Sequence, residues 1–309
     1  VSRAFHEETC EPLENPLTSA IRRSRASKSV RPMLLIRQDG NELYVESTAA
    51  PIRDGLGQVG GAVLVFHDQR LTDTQLRDFA ARFGPLEIGR GALQGGRRRL
   101  AIPQIGDISN LDEDNRIRAL DDRRRLDSLG NRLWHTDASY MPVPVVLGML
   151  HAVALPPATA LGGGETEFAD MRAAYDALDD GTRQEIADLV CEHSLIYSRK
   201  TLGFMDLTDE EKATMRPVLQ SLVRTHPVSR RKSVYLSSHI GKIIGWPVPE
   251  ALAFIRDLTE HATQPQFTYK HQWRPFDLVM WDNRVTMHRA RRYDSTQVRD
   301  MRRTTVAGD

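Results

Sequence analysis

The chain has 309 residues, of which 40% are hydrophobic and 27% are charged, and its formal net charge is +1. This length exceeds the usual size of one domain, so it fits either one large catalytic domain or one domain with an appendage. The near-neutral charge excludes the broad basic field that favours nucleic acids or anionic membranes, and a small-molecule partner is expected instead.

The two cysteines, Cys10 and Cys191, form no Cys-x-x-Cys motif. This usage predicts a reducing compartment, the cytoplasm, and no structural disulfides. The sequence has no apolar run of about 18 residues, and no charged segment precedes an apolar one at its start. Neither a membrane span nor a signal peptide is therefore predicted.

The first part of the chain changes character near residue 33. Residues 1–32 are polar and carry the run RRSRASKSVR, which lacks aromatic residues that could stack on bases, so a flexible solvated segment is predicted. Residues 33–68 predict three short strands, two of them separated by the turn signal Asp39-Gly40. This stretch resembles the C-terminal strands of PAS sensory domains, and its last strand is a candidate to join the sheet of a following domain at 69–309.

A helix is predicted within LTDTQLRDFAARFGPLE, because Thr72 and Gln75 form a capping-box pattern ahead of apolar residues at helical spacing. Residues 107–133 are rich in charge and loop-like, so we expect a solvated segment and not a binding groove. A second amphipathic helix is predicted in PVPEALAFIRDLTEHAT.

The stretch RLWHTDASY holds the one His-x-Asp among ten histidines. An ordinary strand with two polar residues would give the same spacing, but residues two apart on a strand share a face, so His135 and Asp137 could both reach one ion. A third ligand is available in VMWDNRVTMHRARRYD, at His288. Two imidazoles and one carboxylate on one face of a metal are the ligand set of non-haem Fe(II) oxygenases.

The last segment, VRDMRRTTVAGD, alternates Arg299, Met301 and Arg303. On a final strand both guanidinium groups would point the same way. Such a pair is costly unless anions neutralise it, and small-molecule carboxylates would do so. A single strand arginine is more often on the surface, so the argument depends on the combination with the His-x-Asp stretch.

Residues from about 64 to 309 resemble the Fe(II)/2-oxoglutarate-dependent dioxygenases of the taurine and 2,4-dichlorophenoxyacetate dioxygenase family. The resemblance depends on LTDTQLRDFAARFGPLE, LWHTDASY, GGGETEFADMRAAYDAL, LVRTHPVSRRKSVYL, LVMWDNRVTMHRARRYD and RDMRRTTVAGD, and GDISN, RAAYDAL, RRYD and RRTT favour the phenoxyacetate branch. It implies a mainly β fold with flanking helices (α+β) around a double-stranded β-helix (jelly-roll, cupin-like) core, with the metal between the two sheets.

The resemblance implies the site residues position by position. His135, Asp137 and His288 match the family's metal ligands, which hold Fe(II) for catalysis with O2. Thr166 and Arg299 match the residues that bind the distal carboxylate of the cosubstrate 2-oxoglutarate.

The substrate residues are less defined. Arg303 matches the arginine assigned to the substrate's anionic group, and His239 in YLSSHIGK is a further candidate. Phe276 departs from the family, which commonly has glycine before the following aspartate, and a bulky residue is not expected to adopt the positive φ open to glycine.

The reaction implied is hydroxylation of a phenoxyacetate-type aryloxyalkanoate next to its ether oxygen. The products would be a phenol, a 2-oxo acid, succinate and CO2. One alternative is the same chemistry on an alkyl sulfonate or sulfate ester, and another is an inactive fusion that acts as a PAS-derived interaction protein. A zinc hydrolase would use similar ligands but explains neither Thr166 nor the paired arginines. The expected partner is a small anionic aromatic substrate, in a homo-oligomer.

Overall fold

The computed structural model describes residues 63–89, 97–160, 162–203 and 208–308, and the backbone of short strands before residue 63. Most of the segment 1–32, which was predicted to be flexible, lies outside the described residues.

The strands described, in chain order, have these bounds: β1 Ala4–Phe5, β2 Ser27–Lys28, β3 Met33–Ile36, β4 Glu42–Val45, β5 Ser47–Arg53, β6 Val59–Phe66, β7 Gly106–Asp107, β8 Leu147–Ala154, β9 Thr166–Asp170, β10 Val190–His193, β11 Val218–Ser221, β12 Val223–Thr225, β13 Lys232–Val234, β14 Ile240–Ile243, β15 Thr268–His271, β16 Leu278–Asp282, β17 Thr286–Ala290 and β18 Asp300–Val306.

The α-helices described are α1 Asp73–Ala80, α2 Arg123–Ser128, α3 Met171–Asp176, α4 Asp180–Ile186, α5 Leu195–Thr201, α6 Asp209–Thr214 and α7 Val248–Ala262. Short 3₁₀ turns occupy Ala81–Phe83, Leu129–Arg132 and Pro265–Phe267. The two helices predicted from their apolar spacing, α1 and α7, are confirmed.

Two facing sheets form the core. The main sheet has the strand order β2-β5-β6-β16-β8-β18-β7, and the minor sheet has the order β15-β9-β17. Phe168 of the minor sheet packs in one buried cluster with Val65, Leu150 and Trp281 of the main sheet. Antiparallel strands with apolar residues on their facing sides close a sandwich of this kind. The predicted mainly β, jelly-roll fold with flanking helices is confirmed.

Strand β6 is an inner strand of the main sheet. It pairs antiparallel with β16 through Val65 opposite Val279, and with β5 on its other side. Both Val63 and Val65 are buried. The domain boundary predicted after residue 68 stays a prediction.

Helix α1 begins as its sequence predicts. Thr72 Oγ1 accepts a hydrogen bond from the Gln75 backbone, and the Gln75 side chain accepts one from the Thr72 backbone. Leu76 is buried against main-sheet residues that include Met149 and Met280. The helix therefore covers the outer face of the main sheet.

Phe276 overturns one expectation. Its φ is 66°, so a bulky residue does occupy the left-handed region here. Its backbone N–H donates to the Ala152 carbonyl at 2.8 Å, and its carbonyl accepts from the Gln69 N–H at 2.7 Å. The Arg70 guanidinium lies 4.2 Å from the centre of its ring. These contacts hold a conformation that costs a non-glycine residue about 1–3 kcal/mol.

Asp277, directly before β16, links the end of β6 to β15. It is fully buried, and its two oxygens lie 2.7 Å from His67 Nδ1 and 3.1 Å from His271 Nε2. Burial alone would raise the pKa of Asp277, but the hydrogen bonds from His271, the Arg274 backbone and His67 lower it.

We expect Asp277→Asn to lower the free energy of unfolding by about 2 kcal/mol at neutral pH, because hydrogen bonds to a charged group contribute about 1.5–3 kcal/mol. Since the folded pKa is the lower one, this contribution is present above the unfolded pKa of about 3.9 and is lost as the pH falls through the folded pKa. Urea unfolding at pH 7 and near pH 3 measures it. An equal difference in the free energy of unfolding between wild type and variant at both pH values contradicts this expectation.

In the part of the chain that the structure describes, no helix has both the length and the apolar character needed to cross a membrane.

Candidate metal and cosubstrate site

His135 and His288 are held side by side by their own backbones. The His135 N–H donates to the His288 carbonyl at 3.0 Å, and the His288 N–H donates to the His135 carbonyl at 2.9 Å. Within the described residues, His135 makes only this isolated bridge, so the strand on which His135 and Asp137 would share a face does not form. Asp137 lies in a turn that continues through Ala138, whose φ is 53°. The turn, and not strand alternation, brings the carboxylate to the imidazoles.

Asn283 fixes the backbone of Asp137. Its Oδ1 accepts from the Asp137 N–H at 3.0 Å, and its Nδ2 donates to the carbonyls of Asp137 and Val145, each at 3.0 Å. Asn283 is fully buried. Nothing in the sequence pattern had marked Asn283 as a site residue. The one available signal was an amide directly after the buried strand β16.

Removing this amide is expected to weaken metal binding without removing a ligand. Asn283→Ala leaves the Asp137 backbone unsatisfied, and loss of such an outer contact costs about 10–100-fold in metal affinity. Competition with a chelator of known affinity measures the change, with the exposed amide variant Gln266→Ala as control. Equal metal affinity in both variants would show that Asn283 does not position the carboxylate.

The three side chains converge without pairing tightly to one another. His135 Nε2 lies 3.7 Å from Asp137 Oδ1, and His288 Nε2 lies 3.7 Å from Asp137 Oδ2. One ligand atom from each side chain lies within 4.8 Å of the other two, and all three residues are buried. His135 Nδ1 lies 2.8 Å from the Leu133 carbonyl, which can only accept, so His135 Nε2 keeps its lone pair.

The buried oxygen Asp137 Oδ2 has no hydrogen-bond partner among the described residues. Burial lowers the pKa of His135 and lowers that of His288 to about 3. Burial alone would raise the pKa of Asp137, but Arg303 and the neighbouring histidines lower it to about 2. Two neutral imidazoles and one carboxylate at neutral pH are the protonation states that bind a divalent metal.

A cavity of about 170 Å³ opens beside the histidines, and Thr166 and Arg299 line it. Thr166 is the first residue of β9, and its Oγ1 accepts from Trp273 Nε1 at 3.0 Å, which leaves its own hydroxyl proton to donate. Arg299 precedes β18, and its backbone N–H donates to Asn110 Oδ1 at 2.9 Å.

The Arg299 side chain is buried, with 5% of the residue exposed, yet no carboxylate contacts it within the described ranges. Its Nη2 lies 3.4 Å from the Gly164 carbonyl, and its Nε has no hydrogen-bond partner among the described residues. Gly164 has φ 74°, and a Cβ there would lie 3.1 Å from Arg299 Nε. Burial lowers the pKa of Arg299. A buried guanidinium without a carboxylate is costly, so this cavity suits an anionic ligand.

A second cavity, of about 240 Å³, meets the first at His135 and Arg303 and reaches Asp137 and His239. Arg303 Nη1 donates to Asp137 Oδ1 at 2.8 Å, so the arginine predicted for the substrate also contacts a predicted metal ligand. His239 is buried, and its Nδ1 lies 2.8 Å from Ser198 Oγ. The structure thus brings all seven predicted site residues to two adjoining cavities, and their individual roles stay predictions.

The charged segment 107–133 has many exposed residues, as expected, but it also lines a cavity, which was not expected. Its arginines Arg118, Arg124, Arg125 and Arg132 line the first cavity. Sequence alone could not show this, because the segment is placed by distant contacts such as the hydrogen bond from Arg125 Nη2 to Ser295 Oγ at 2.8 Å.

The three consecutive arginines at 97–99 have different hydrogen-bond and ion-pair partners. Arg97 pairs with Asp114 on the surface, and Arg99 pairs with Asp107 and Asp300. Arg98 lines the second cavity and donates to the Leu100 carbonyl at 2.8 Å. Only the middle residue of the run therefore adds a cation without a carboxylate partner to this cavity, among the residues described.

Comparison with known proteins gives consistent matches. Residues 39–305 match the model of the "Taurine catabolism dioxygenase TauD, TfdA family". The chain is 39% identical over 283 residues to the alpha-ketoglutarate-dependent 2,4-dichlorophenoxyacetate dioxygenase of Burkholderia sp. (strain RASC), covering 91% of this chain and 94% of that protein. It is 38% identical over 256 residues to the (S)-phenoxypropionate/alpha-ketoglutarate-dioxygenase of Sphingobium herbicidovorans, covering 80% and 83%.

Among solved structures, AAD-2 in complex with Mn(II) and N-oxalylglycine superposes with a TM-score of 0.76. The two sequences are 58% identical, and the match covers 80% of this chain and 84% of that one. The family match begins at residue 39, inside the segment that resembles PAS strands, and includes β5 and β6.

Proposed function

Because this chain belongs to the taurine catabolism dioxygenase TauD, TfdA family, we propose that it is an Fe(II)- and 2-oxoglutarate-dependent dioxygenase that hydroxylates an aryloxyalkanoate next to its ether oxygen. The hydroxylated product is a hemiacetal that falls apart to a phenol and a 2-oxo acid, while 2-oxoglutarate and O2 yield succinate and CO2. The observation that carries the proposal is the buried Arg299, without a carboxylate partner in the described chain, in the cavity next to His135 and His288.

His135, Asp137 and His288 would hold the metal, and Asp137 Oδ2, which accepts no hydrogen bond from the described residues, fits that role. Fe(II), when bound, supplies the redox chemistry that couples oxidation of 2-oxoglutarate by O2 to hydroxylation of a C–H bond. The Leu133 carbonyl keeps His135 in the tautomer whose Nε2 faces the other two ligands.

Thr166 and Arg299 would bind the distal carboxylate of 2-oxoglutarate and orient its other end toward the histidines. The Thr166 hydroxyl donates one hydrogen bond, and the Arg299 guanidinium provides the opposite charge. Fixing both ends of a flexible dicarboxylate places its reacting end before the chemistry begins.

The second cavity would receive the aryloxyalkanoate. Leu100, Ile105 and Tyr140 line it and offer an apolar wall for the ring, while Arg303 and His239 lie on its polar side. Arg303 would bind the substrate carboxylate while it keeps its hydrogen bond to Asp137. The relatives' substrates, 2,4-dichlorophenoxyacetate and (S)-phenoxypropionate, support this class for the present chain.

The test compares succinate and phenol formation from 2-oxoglutarate, O2 and added Fe(II) with four compounds: phenoxyacetate, the two phenoxypropionate enantiomers and an alkyl sulfate. Phenol that appears only with the phenoxy acids supports the proposal and ranks the substrates. Succinate that rises only with the alkyl sulfate overturns the substrate class in favour of the sulfate-ester alternative. A chain that binds no iron and forms neither product supports the inactive interaction protein.

The homo-oligomer expected from the sequence remains part of the proposal. Light scattering on the purified chain as it elutes from a sizing column tests it. A mass that matches the 34.9 kDa of one chain would contradict it.

A further inference from the structure

Arg132 is a second cation that has no hydrogen-bond or carboxylate partner among the described residues of the cosubstrate cavity. It ends the 3₁₀ turn Leu129–Arg132, three residues before His135. Its side chain is half-buried and lines the same cavity as Thr166 and Arg299, and the described chain offers it neither a hydrogen bond nor a carboxylate. Burial lowers the pKa of Arg132, and the neighbouring Arg292 and Arg125 lower it further.

The other cations of this cavity differ from Arg132 in what they contact. Carboxylates pair with Arg118, Arg124, Arg291 and Arg303. Arg125 donates to Ser295 Oγ. Among the described residues, only Arg132 and Arg299 of these arginines reach the cavity with no anionic or hydroxyl side chain as partner.

Arg132 and Arg299 share one region of the cavity. Tyr293 lines the cavity together with both arginines, and the Arg299 guanidinium carbon lies 5.5 Å from the centre of the Tyr293 ring. The positive charge of Arg132 also lowers the pKa of Arg299. Two like charges that line one partly buried cavity repel each other, and a bound anion would offset that repulsion.

We propose that Arg132 is a second anchoring residue for the distal carboxylate of 2-oxoglutarate, opposite Arg299 and Thr166. The inference rests on the proposed function, which supplies the dicarboxylate. Its consequence is local. Arg132 lies three residues before His135, so cosubstrate binding would also stabilise the segment that positions this metal ligand.

The test uses Arg132→Gln, with Arg123→Gln as the matched control. Arg123 lies on α2 of the same charged segment, is exposed and does not line the cavity. Equilibrium affinity for 2-oxoglutarate is measured by calorimetry on Mn(II)-loaded protein without oxygen. It is compared with affinity for 2-oxopentanoate, which lacks the distal carboxylate. Arg132→Lys, which keeps the charge, provides a second variant.

Arg132→Gln is expected to weaken 2-oxoglutarate binding at least about 10-fold, since a hydrogen bond to a charged group is lost, and Arg132→Lys is expected to weaken it less. Neither variant should change 2-oxopentanoate binding by more than about 2-fold, because the missing carboxylate is the group that Arg132 contacts. The control should match wild type for both ligands.

Equal losses for both keto acids would overturn the inference, since they would indicate a disturbed metal segment. Unchanged 2-oxoglutarate affinity, or a raised KM for phenoxyacetate alone, would overturn it as well. If wild type forms succinate and phenol in any of these cases, the proposed function stands without Arg132. Failure of wild type to bind 2-oxoglutarate would instead contradict both the proposed function and the role of Arg132.

Discussion

Asp137→Asn is expected to abolish metal binding and, with it, succinate formation. The substitution keeps the shape of the side chain and its backbone hydrogen bonds to Asn283, but it removes the one anion among the three predicted ligands. It also leaves the Arg303 guanidinium without its carboxylate. Because loss of an outer contact alone costs about 10–100-fold in metal affinity, loss of the charged ligand should cost more than about 100-fold.

Metal content per chain, measured by plasma mass spectrometry after dialysis, gives the direct result, and the initial rate of succinate formation gives the second. Asp188→Asn is the control, because Asp188 is exposed and far along the chain from the site. Thermal unfolding of the metal-free proteins shows whether the variant folds. A folded Asp137→Asn that keeps one metal per chain would contradict the assignment of Asp137 as a ligand.

Arg299→Gln is expected to raise the KM for 2-oxoglutarate at least about 30-fold, because truncating one partner of a buried charge pair costs about 2–5 kcal/mol. The KM for the aryloxyalkanoate should change little, since Arg299 lines the first cavity and not the second. Initial rates at saturating concentrations of the other substrate separate the two constants.

The metal-free protein gives this prediction a second readout. Arg299 is buried without a carboxylate among the residues described, so its charge opposes folding in the absence of ligand. Arg299→Gln should therefore not lower the melting temperature of the metal-free chain, and the exposed Arg256→Gln serves as control. An unchanged KM for 2-oxoglutarate contradicts the assignment, and so does a loss of activity that follows a loss of stability.

The metal ligands could be proposed from the residue types and the His-x-Asp spacing, and the cosubstrate role of Thr166 came from the family resemblance of the stretch that contains it. The stretch with His135 and Asp137, and the glycine-rich stretch before Thr166, each place their residues within a few positions of one another. The supporting geometry was harder to predict. The single His-x-Asp spacing fits both a strand and the turn that actually forms, in which Ala138 has φ 53°. Spacing alone does not distinguish the two backbones.

The remaining site residues depend on contacts between distant parts of the chain. Asn283 reaches Asp137 across 146 positions, and no local pattern marks a buried amide of this kind. The charged segment before His135 was expected to be solvated, yet Arg132 faces the cavity. Phe276 adopts a positive φ because its backbone bonds to Ala152 and Gln69 over-determine it. The conformational propensities of the individual residues predict none of these outcomes, since tertiary contacts decide each of them.

One site is expected to couple 2-oxoglutarate oxidation to cleavage of an aryloxyalkanoate. The most direct measurement is the ratio of succinate to phenol formed from 2-oxoglutarate and phenoxyacetate by the Fe(II)-loaded chain, with and without oxygen. One phenol for each succinate, with neither formed without oxygen or in Asp137→Asn, is the result we expect. Phenol released without succinate, or without oxygen, would contradict this coupling, because cleavage would then proceed without oxidation of the cosubstrate.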